Sequence, residues 1–273
     1  MLASHAFSDL KGIQRDLDRQ DCALVDVAKP EQGNEEIKSD TVEAGILKLA
    51  DFMMLGPTYT PSLYDAPTSE VYTQPAKFNH VGGPALKADH PAFSTTVGLD
   101  LHTDGTLNPI GEVQTCILGC VTEAAEGGDS VLFRAAALAE SLLAEGADWL
   151  EPLFDPGALR RHTTVGETLK HADGPVLLRS DGRIQSRYCA TPRDEWRYGA
   201  VPGLAQARER FEEAMTNSPD FSMVFRLRAG QALVMCNSRI SHGRTEFRDK
   251  PGCARHMVRA LFRSGPAVRQ LVD

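Results

Sequence analysis

The residues of this chain best suited to chemistry are two histidines and an aspartate. His102 and Asp104 lie two positions apart in the run Leu101-His102-Thr103-Asp104-Gly105-Thr106, and His242 lies near the C-terminus. If the run is extended, His102 and Asp104 point to the same side, because side chains alternate along a strand. Two imidazoles and a carboxylate are suitable ligands for a divalent transition metal. The sequence therefore predicts a metal centre formed by His102, Asp104 and His242.

Three kinds of metal site can be compared with this ligand set. A structural zinc site prefers four ligands, usually thiolates, and no cysteine lies close in sequence to the His102-Thr103-Asp104 triplet. A hydrolytic zinc site, or a cupin-type metal isomerase or hydrolase, also accepts two histidines and a carboxylate. The same set on one face of Fe(II), with other positions open, is typical of non-haem iron oxygenases.

The arginines near the C-terminus help to distinguish these alternatives. Alternation places five residues on one face of a predicted strand: Arg255, Met257, Arg259, Leu261 and Arg263. A solvated row of arginines is one interpretation. The other is an interior face whose fixed cations bind a dianionic cosubstrate and an anionic substrate, since guanidinium binds carboxylates bidentately and stays charged. The second interpretation favours an oxygenase over the cupin-type alternative.

The elements that must position these residues are mostly strands. The hydrophobic patterns predict strands over 113–122, 159–165, 176–179, 184–189, 221–228, 231–236 and 257–262. They predict helices over 41–55, 135–144 and 203–215. The region 224–236 is interpreted as a hairpin with Ala229-Gly230 at its turn. Residues 59–91 show no clear periodicity and are predicted to form a lid.

Together these elements predict a mainly β fold with flanking helices and a double-stranded β-helix, or jelly-roll, core. We expect one oxygenase domain over residues 1–273, with helices and the lid in 1–97 and the jelly-roll core in 98–264. The strand predicted at 184–189 carries Arg187, which we interpret as a candidate substrate contact.

Charge and composition bear on the partners. The net charge is −8 and the sequence has no basic run, which argues against nucleic acid and anionic membranes as partners. No stretch approaches the roughly 18 apolar residues of a membrane span. The six cysteines show no disulfide-framework spacing. We therefore expect a cytoplasmic enzyme that acts on a small molecule, with a homodimer as the default assembly.

Several ordered motifs resemble those of a known family, the taurine dioxygenase and clavaminate synthase-like (TauD/TfdA) branch of Fe(II)/2-oxoglutarate-dependent oxygenases. The resemblance covers residues 98–264. Its motifs are the 101–106 run, Glu126-Gly127-Gly128-Asp129-Ser130, Asn237-x-Arg239-x-x-His242-Gly243-Arg244, and Arg255-x-Met257-x-Arg259.

The resemblance implies specific roles. His102, Asp104 and His242 would be the iron ligands, while Arg255 and Ser130 would hold the distal carboxylate of 2-oxoglutarate. Arg259 would bind an acidic group of the primary substrate. The implied cofactors are Fe(II), 2-oxoglutarate and O2, and the implied reaction is hydroxylation, desaturation or cyclisation at an unactivated C–H bond with release of succinate and CO2. The substrate would be a small, anionic, amino-acid-like or natural-product molecule.

Two departures from the family pattern stand out. The run Gly230-Gln231-Ala232-Leu233-Val234-Met235-Cys236-Asn237 lacks the aspartates that relatives often carry beside this glycine and asparagine. The first hundred residues match the family poorly, and in the family this region commonly supplies the substrate lid. A catalytically silent jelly-roll binding protein and a protein-modifying oxygenase are further alternatives that the sequence leaves open.

Overall fold

The computed structural model describes residues 2–30, 36–59, 78–82, 95–165 and 168–267. The helices are α1 (Leu10–Gln20), α2 (Ser39–Phe52), α3 (Ala135–Ala144) and α4 (Leu204–Asn217), with 3-10 helices at Asp148–Phe154 and Pro219–Phe221. The strands are β1 (Ser4–Ala6), β2 (Cys22–Asp26), β3 (Asn79–Gly82), β4 (Leu99–His102), β5 (Thr115–Thr122), β6 (Glu126–Gly127), β7 (Ser130–Phe133), β8 (Leu159–Val165), β9 (Thr168–Gly174), β10 (Leu177–Ser180), β11 (Arg183–Ser186), β12 (Glu195–Trp196), β13 (Ser222–Phe225), β14 (Gln231–Cys236), β15 (Ser241–Arg244), β16 (Phe247–Arg248) and β17 (His256–Phe262). The chain is therefore mainly β with a few helices, as predicted.

Two larger sheets pack face to face. One has the strand order β1-β2-β14-β5-β17-β3 and the other β13-β7-β15-β4. Their inner faces meet in one apolar cluster, to which the first sheet contributes Cys116, Leu233 and Met257 and the second contributes Leu132 and Met223. Burial of this surface from both sides holds the two sheets together.

The outer face of the six-stranded sheet is covered by α1 and α2. Alternate residues of the central strands, such as Val234 and Val258, pack there against Ile13 of α1 and Ile46 of α2. Gly119 of β5 permits this close approach, because a Cβ at this position would lie 2.6 Å from a side-chain carbon of Val42. The helical spacing of apolar residues that predicted a helix over 41–55 thus marks the face that α2 buries.

The hairpin predicted over 224–236 is wrong. β13 pairs with β7 in the four-stranded sheet, whereas β14 pairs with β2 and β5 in the six-stranded sheet. The connecting residues 226–230 carry the chain from one sheet to the other. Two strands on either side of a turn can bury their apolar faces equally well in one sheet or in two different sheets. Alternation of apolar residues therefore predicts the strands but not which strands pair.

The N-terminal region contributes strands as well as helices. β1 and β2 are parallel neighbours, and β2 pairs antiparallel with β14. Most of the lid predicted over 59–91 lies outside the described residues, which resume at 78–82 to form β3 beside β17. Among the helices that the structure describes, none combines the length and the apolar character needed to cross a bilayer.

Candidate active site

The three predicted ligands converge between β4 and β15. His102 ends β4 and lies directly opposite His242 of β15 in the antiparallel register. Their rings are 4.5 Å apart between centroids. Asp104 follows just beyond the end of β4 and so does not share the strand itself. One potential ligand atom from each of His102, Asp104 and His242 lies within 4.8 Å of the others.

The side chain of Asn237 fixes the backbone at Asp104. The Asp104 amide donates to Asn237 Oδ1 at 2.8 Å, and Asn237 Nδ2 donates to the carbonyl oxygens of Asp104 at 3.2 Å and Val113 at 2.9 Å. Asn237 belongs to the loop between β14 and β15, so it ties the segment before His242 to the loop that carries the carboxylate. The asparagine of the Asn237-x-Arg239-x-x-His242 motif thus positions the ligand set.

Both imidazoles are neutral and can offer lone pairs. His102 Nδ1 lies 2.9 Å from the Asp100 carbonyl oxygen, which only accepts, so Nδ1 carries the proton and Nε2 is free for a metal. Burial lowers the pKa of His102. Burial and the neighbouring His102 lower the pKa of His242 to about 3.

The carboxylate of Asp104 is ionised although it is buried. Burial alone would raise the pKa of Asp104, but the positive charge of Arg259 and the two neighbouring histidines hold it at about 2. Arg259 donates to Oδ1 of Asp104. Oδ2 of Asp104 is buried without a hydrogen-bond partner and lies 3.6 Å from Nε2 of His242. Buried polar atoms are normally paired, so two nitrogen donors and one oxygen donor with open valence fit a divalent transition metal.

Arg255 lies on the inner face near Gly127 and Gly128. Its side chain is 6% exposed and its guanidinium packs against the Phe247 ring. Gly128 has φ +73°, and a Cβ there would lie 3.1 Å from Arg255 Nε, so only glycine fits comfortably. Burial, with repulsion from Arg244, lowers the pKa of Arg255 to about 10. The residue is therefore cationic at neutral pH.

The other predicted site residues lie at different places around the ligands. Ser130 begins β7 and is buried opposite Arg244 of β15. Arg259 is buried and donates to the Asp104 carboxylate. It also donates from Nη2 to Asn79 Oδ1 at 3.3 Å. Arg263 points to the surface, where it pairs with Glu112 at 2.8 Å. Arg259 thus lies on the buried face of β17 and Arg255 is buried just before the strand begins, whereas Arg263, just after its end, is exposed.

A small cleft lies beside the ligands and contains Arg187 and a residue that sequence reasoning missed. Arg161 of β8 donates to the carbonyl oxygen of Thr103 at 3.0 Å and pairs with Asp194 at 3.2 Å. The cleft is open to solvent, and its cavity volume of about 10 Å³ is room for about one water molecule. Its lining includes Thr103, Asp104, Gly105, Arg161, Ser186 and Arg187. The Arg160-Arg161 pair was a usable signal, because alternation in the predicted strand 159–165 sends one of two adjacent arginines inward.

The fold and the open set of two histidines and a carboxylate define a class, the non-haem metal oxygenases. The sequence profile described as "Taurine catabolism dioxygenase TauD, TfdA family" matches residues 47–261. The chain belongs to this family, and it is accordingly an Fe(II)- and 2-oxoglutarate-dependent dioxygenase that uses O2. The predicted family is confirmed, and membership favours the oxygenase over the cupin-type alternative.

Two curated relatives are similar over most of their length. A uridine-5'-phosphate dioxygenase from Amycolatopsis sp is 38% identical over 235 residues, which cover 82% of this chain and 81% of the relative. A uridine-5'-phosphate dioxygenase from Streptomyces sp is 34% identical over 219 residues, covering 78% of this chain and 76% of the relative.

Solved structures share the fold at low identity. Asparagine oxygenase in complex with Fe(II), 2S,3S-3-hydroxyasparagine and succinate has a TM-score of 0.65 and 16% identity, covering 93% of this chain and 77% of that one. The non-heme iron oxygenase OrfP in complex with Fe and alpha-ketoglutaric acid has a TM-score of 0.61 and 16% identity, covering 96% of this chain and 94% of that one. At this identity the similarity describes the architecture and leaves the substrate open.

Proposed function

We propose that this dioxygenase oxidises a nucleoside 5'-monophosphate, with uridine 5'-phosphate as the first candidate substrate. The observation that carries the proposal is the similarity, over about four fifths of the chain, to the uridine-5'-phosphate dioxygenase of Amycolatopsis sp. An anionic substrate is also consistent with the buried arginines around the ligand set. An amino-acid substrate is the main alternative outcome of a substrate screen.

In this proposal His102, Asp104 and His242 hold the Fe(II) ion. The neutral imidazoles supply two nitrogen donors and the ionised carboxylate supplies one oxygen donor. Bound iron and 2-oxoglutarate together supply O2 activation, with succinate and CO2 as coproducts. Asn237 keeps Asp104 in position, and the proton on His102 Nδ1 keeps its other nitrogen directed at the metal.

Arg255 and Ser130 are proposed to bind the distal carboxylate of 2-oxoglutarate. The Arg255 guanidinium makes no hydrogen bond to any residue that the structure describes; only its backbone amide does, to Asp249 Oδ1 at 2.8 Å. A buried cation without an acidic partner is costly. A carboxylate would satisfy it bidentately, and the hydroxyl of Ser130 would add one donor.

The two facing sheets are proposed to form a jelly roll, within a single domain that places 2-oxoglutarate between them. The apolar cluster around Met257 and Leu132 would exclude bulk water from this space. The expectations of a cytoplasmic location and a homodimer stay predictions. Size-exclusion chromatography with light scattering would test the dimer.

The first test needs no knowledge of the substrate. Anaerobic addition of Fe(II) and 2-oxoglutarate to metal-free protein is expected to produce a visible charge-transfer band from the chelated keto acid. Asp104→Ala should abolish the band, because the metal loses a ligand. Arg255→Met should raise the 2-oxoglutarate concentration that gives half of the maximal band intensity by at least about 10-fold. Arg263→Met is the control, because Arg263 is exposed at the end of the same segment, and it should leave this concentration unchanged.

Substrate identity is tested by succinate release with uridine 5'-phosphate, uridine, asparagine and arginine in parallel. Release that is stimulated by uridine 5'-phosphate but not by the others is the expected result. Stimulation by an amino acid alone would overturn the nucleotide proposal. A normal charge-transfer band in Asp104→Ala would overturn the assignment of the metal site.

A further inference from the structure

We infer that the buried guanidinium of Arg187 binds the phosphate of the primary substrate, in the cleft beside Asp104 and apart from the Arg255 site. This inference rests on the proposed nucleotide substrate and assigns the specificity for its anionic group. It is carried by the partners of the buried arginines, by the shape of the cleft and by the room that a neighbouring glycine makes for this side chain.

Buried arginines are numerous, and half of those in the described residues pair with carboxylates. Those buried within the described residues are Arg161, Arg187, Arg239, Arg244, Arg255 and Arg259. Three of them pair with carboxylates: Arg161 with Asp194, Arg239 with Asp21 and Glu140, and Arg259 with Asp104. Arg244 pairs with none of the described carboxylates and donates to the carbonyl oxygens of Thr95 and Val97, at 2.9 and 2.8 Å. Among the described residues, Arg255 and Arg187 are the two buried arginines whose guanidinium groups have neither a carboxylate partner nor a short hydrogen bond.

Arg187 is 4% exposed, yet its guanidinium makes a single long hydrogen bond, 3.4 Å to the carbonyl oxygen of Thr106. None of the carboxylates that the structure describes lies within ion-pair distance of it. Burial, with repulsion from Arg161, lowers its pKa to about 10, so it stays charged at neutral pH. Burying a cation without a counter-ion costs several kcal/mol, and the fold tolerates this cost where a ligand anion supplies the missing charge.

The surroundings of Arg187 are those of a built pocket. A Cβ on Gly174 would lie 2.6 Å from Arg187 Nη1, so the glycine of β9 makes room for the guanidinium. Gly105 and Gly111, both with φ +84°, shape the loop that closes the other side. Ser186 and Thr103 add hydroxyl groups to the lining. The guanidinium and the two hydroxyl groups can donate the hydrogen bonds that phosphate oxygens accept.

The cleft is connected to the reaction site. Asp104, a proposed iron ligand, lines the same space as Arg187. An anion bound at Arg187 therefore lies beside the proposed ligand Asp104. Arg161 is held in place by Asp194 and Thr103, so it supports the positive potential of the pocket without moving.

The other arginines are less suited to the substrate anion. Arg255 is assigned to 2-oxoglutarate, and Arg259 already pairs with the Asp104 carboxylate. Arg244 lies opposite Ser130 in the proposed 2-oxoglutarate site and already donates two short hydrogen bonds. Among the described residues this leaves Arg187 as the buried cation for the substrate anion. Two anionic molecules bind together in this reaction. Arg255 then neutralises 2-oxoglutarate, and Arg187 neutralises the substrate phosphate.

The test compares Arg187→Met with Arg160→Met in the full-length enzyme loaded with Fe(II) and 2-oxoglutarate. Arg160 is the matched control, because it is an arginine of β8 that pairs with Asp173 at the surface, 2.7 Å away. The readouts are the KM for uridine 5'-phosphate from succinate release, and the dissociation constant of 2-oxoglutarate from the charge-transfer band. An unaltered band shows that the variant is folded and loaded.

We expect Arg187→Met to raise the KM for uridine 5'-phosphate by at least about 30-fold, because a buried charged contact is lost, while 2-oxoglutarate binding and the Arg160→Met variant stay as in the wild type. Arg187→Lys should restore part of the loss, since it keeps the charge but not the bidentate fork. An unchanged KM in Arg187→Met, with normal turnover by the wild type, would overturn this inference alone. Absence of turnover by the wild type would overturn the proposed substrate, and this inference with it.

Discussion

Arg259 connects the predicted metal ligand Asp104 to the neighbouring strand β3. Its guanidinium donates to the Asp104 carboxylate and to Asn79 Oδ1, and its charge helps keep the pKa of Asp104 at about 2 against the effect of burial. Such partners of a ligating carboxylate fix its orientation. We therefore expect Arg259 to act on the metal through Asp104, while the substrate contact predicted from the sequence stays a prediction.

The variant Arg259→Met separates these two roles. Loss of the group that orients Asp104 should lower the affinity for Fe(II) by about 10-fold, measured anaerobically by metal titration in the absence of any substrate. Arg263→Met is the control, because Arg263 lies on the surface and pairs with Glu112. Wild-type metal affinity combined with a higher KM for the primary substrate would instead leave Arg259 as a substrate contact only.

Site residues that lie close together in the sequence could be predicted, whereas those whose contact partners are distant in the sequence could not. His102 and Asp104 are two positions apart, and His242 belongs to a compact motif with Asn237. Arg161, in contrast, contacts Thr103 and Asp194, which are 58 and 33 residues away. No local pattern encodes such partners, because only the packing of β8 against the loop after β4 brings them together.

At the scale of elements, the turn between β1 and α1 is held by His5. Its two ring nitrogens lie 2.8 Å from Asp9 and 2.7 Å from Asp16, and the side chain is buried. Burial alone would lower the pKa of His5, but the bonds to Asp16 and Asp9 outweigh it and raise the pKa above the ordinary value of 6.5. His5 thus ties the first strand to the first helix.

This shift predicts a pH dependence of stability. A pKa that is raised in the folded state stabilises the fold below the unfolded value of about 6.5, and the contribution is lost as the pH rises through the folded-state pKa. His5→Gln should therefore reduce the free energy of unfolding more at pH 6 than at pH 9, as measured by urea denaturation. The exposed His171 provides the control variant His171→Gln. Equal losses at the two pH values would contradict the role of the charged imidazole.

Longer elements with clear periodicity were predictable. The helix over 135–144 and the strand over 231–236 have the bounds that the sequence predicted. β1 was missed because it has only three residues. β2 was missed because its five residues are almost all buried, and such a strand shows no alternation. The pairing of β13 was mispredicted for a different reason, since the turn beside it marks a change of sheet.

At the scale of the whole molecule, one buried arginine joins three separate elements. Arg239 donates to Asp21 at the end of α1 at 2.6 Å, to Glu140 of α3 at 2.8 Å, and to the carbonyl oxygen of Ile184 in β11 at 2.6 Å. Arg239 itself belongs to the loop that leads into His242. This network therefore connects the end of α1, α3 and β11 to the segment that carries the proposed iron ligand His242.

Removal of this arginine should be strongly destabilising. Arg239→Ala leaves the buried Asp21 without its main counter-ion, and loss of one partner of a buried pair typically costs about 3–5 kcal/mol. Arg183→Ala is the matched control, since Arg183 approaches the same Asp21 at 3.5 Å but is 61% exposed; exposed pairs contribute about 1 kcal/mol or less. Similar free energies of unfolding for the two variants in urea would show that the network does not join these elements.

The mainly β architecture followed from the sequence because strands dominate its second half, but the order of the strands did not. That order has a consequence for synthesis of the protein. β2 has β1 and β14 as its neighbours, and β5 lies between β14 and β17, so the central strands of the six-stranded sheet come from opposite ends of the chain. The sheet therefore cannot close during translation until residues up to 262 have left the ribosome. Until then the strands already synthesised lack their partners in this sheet, and such unpaired strand edges favour aggregation.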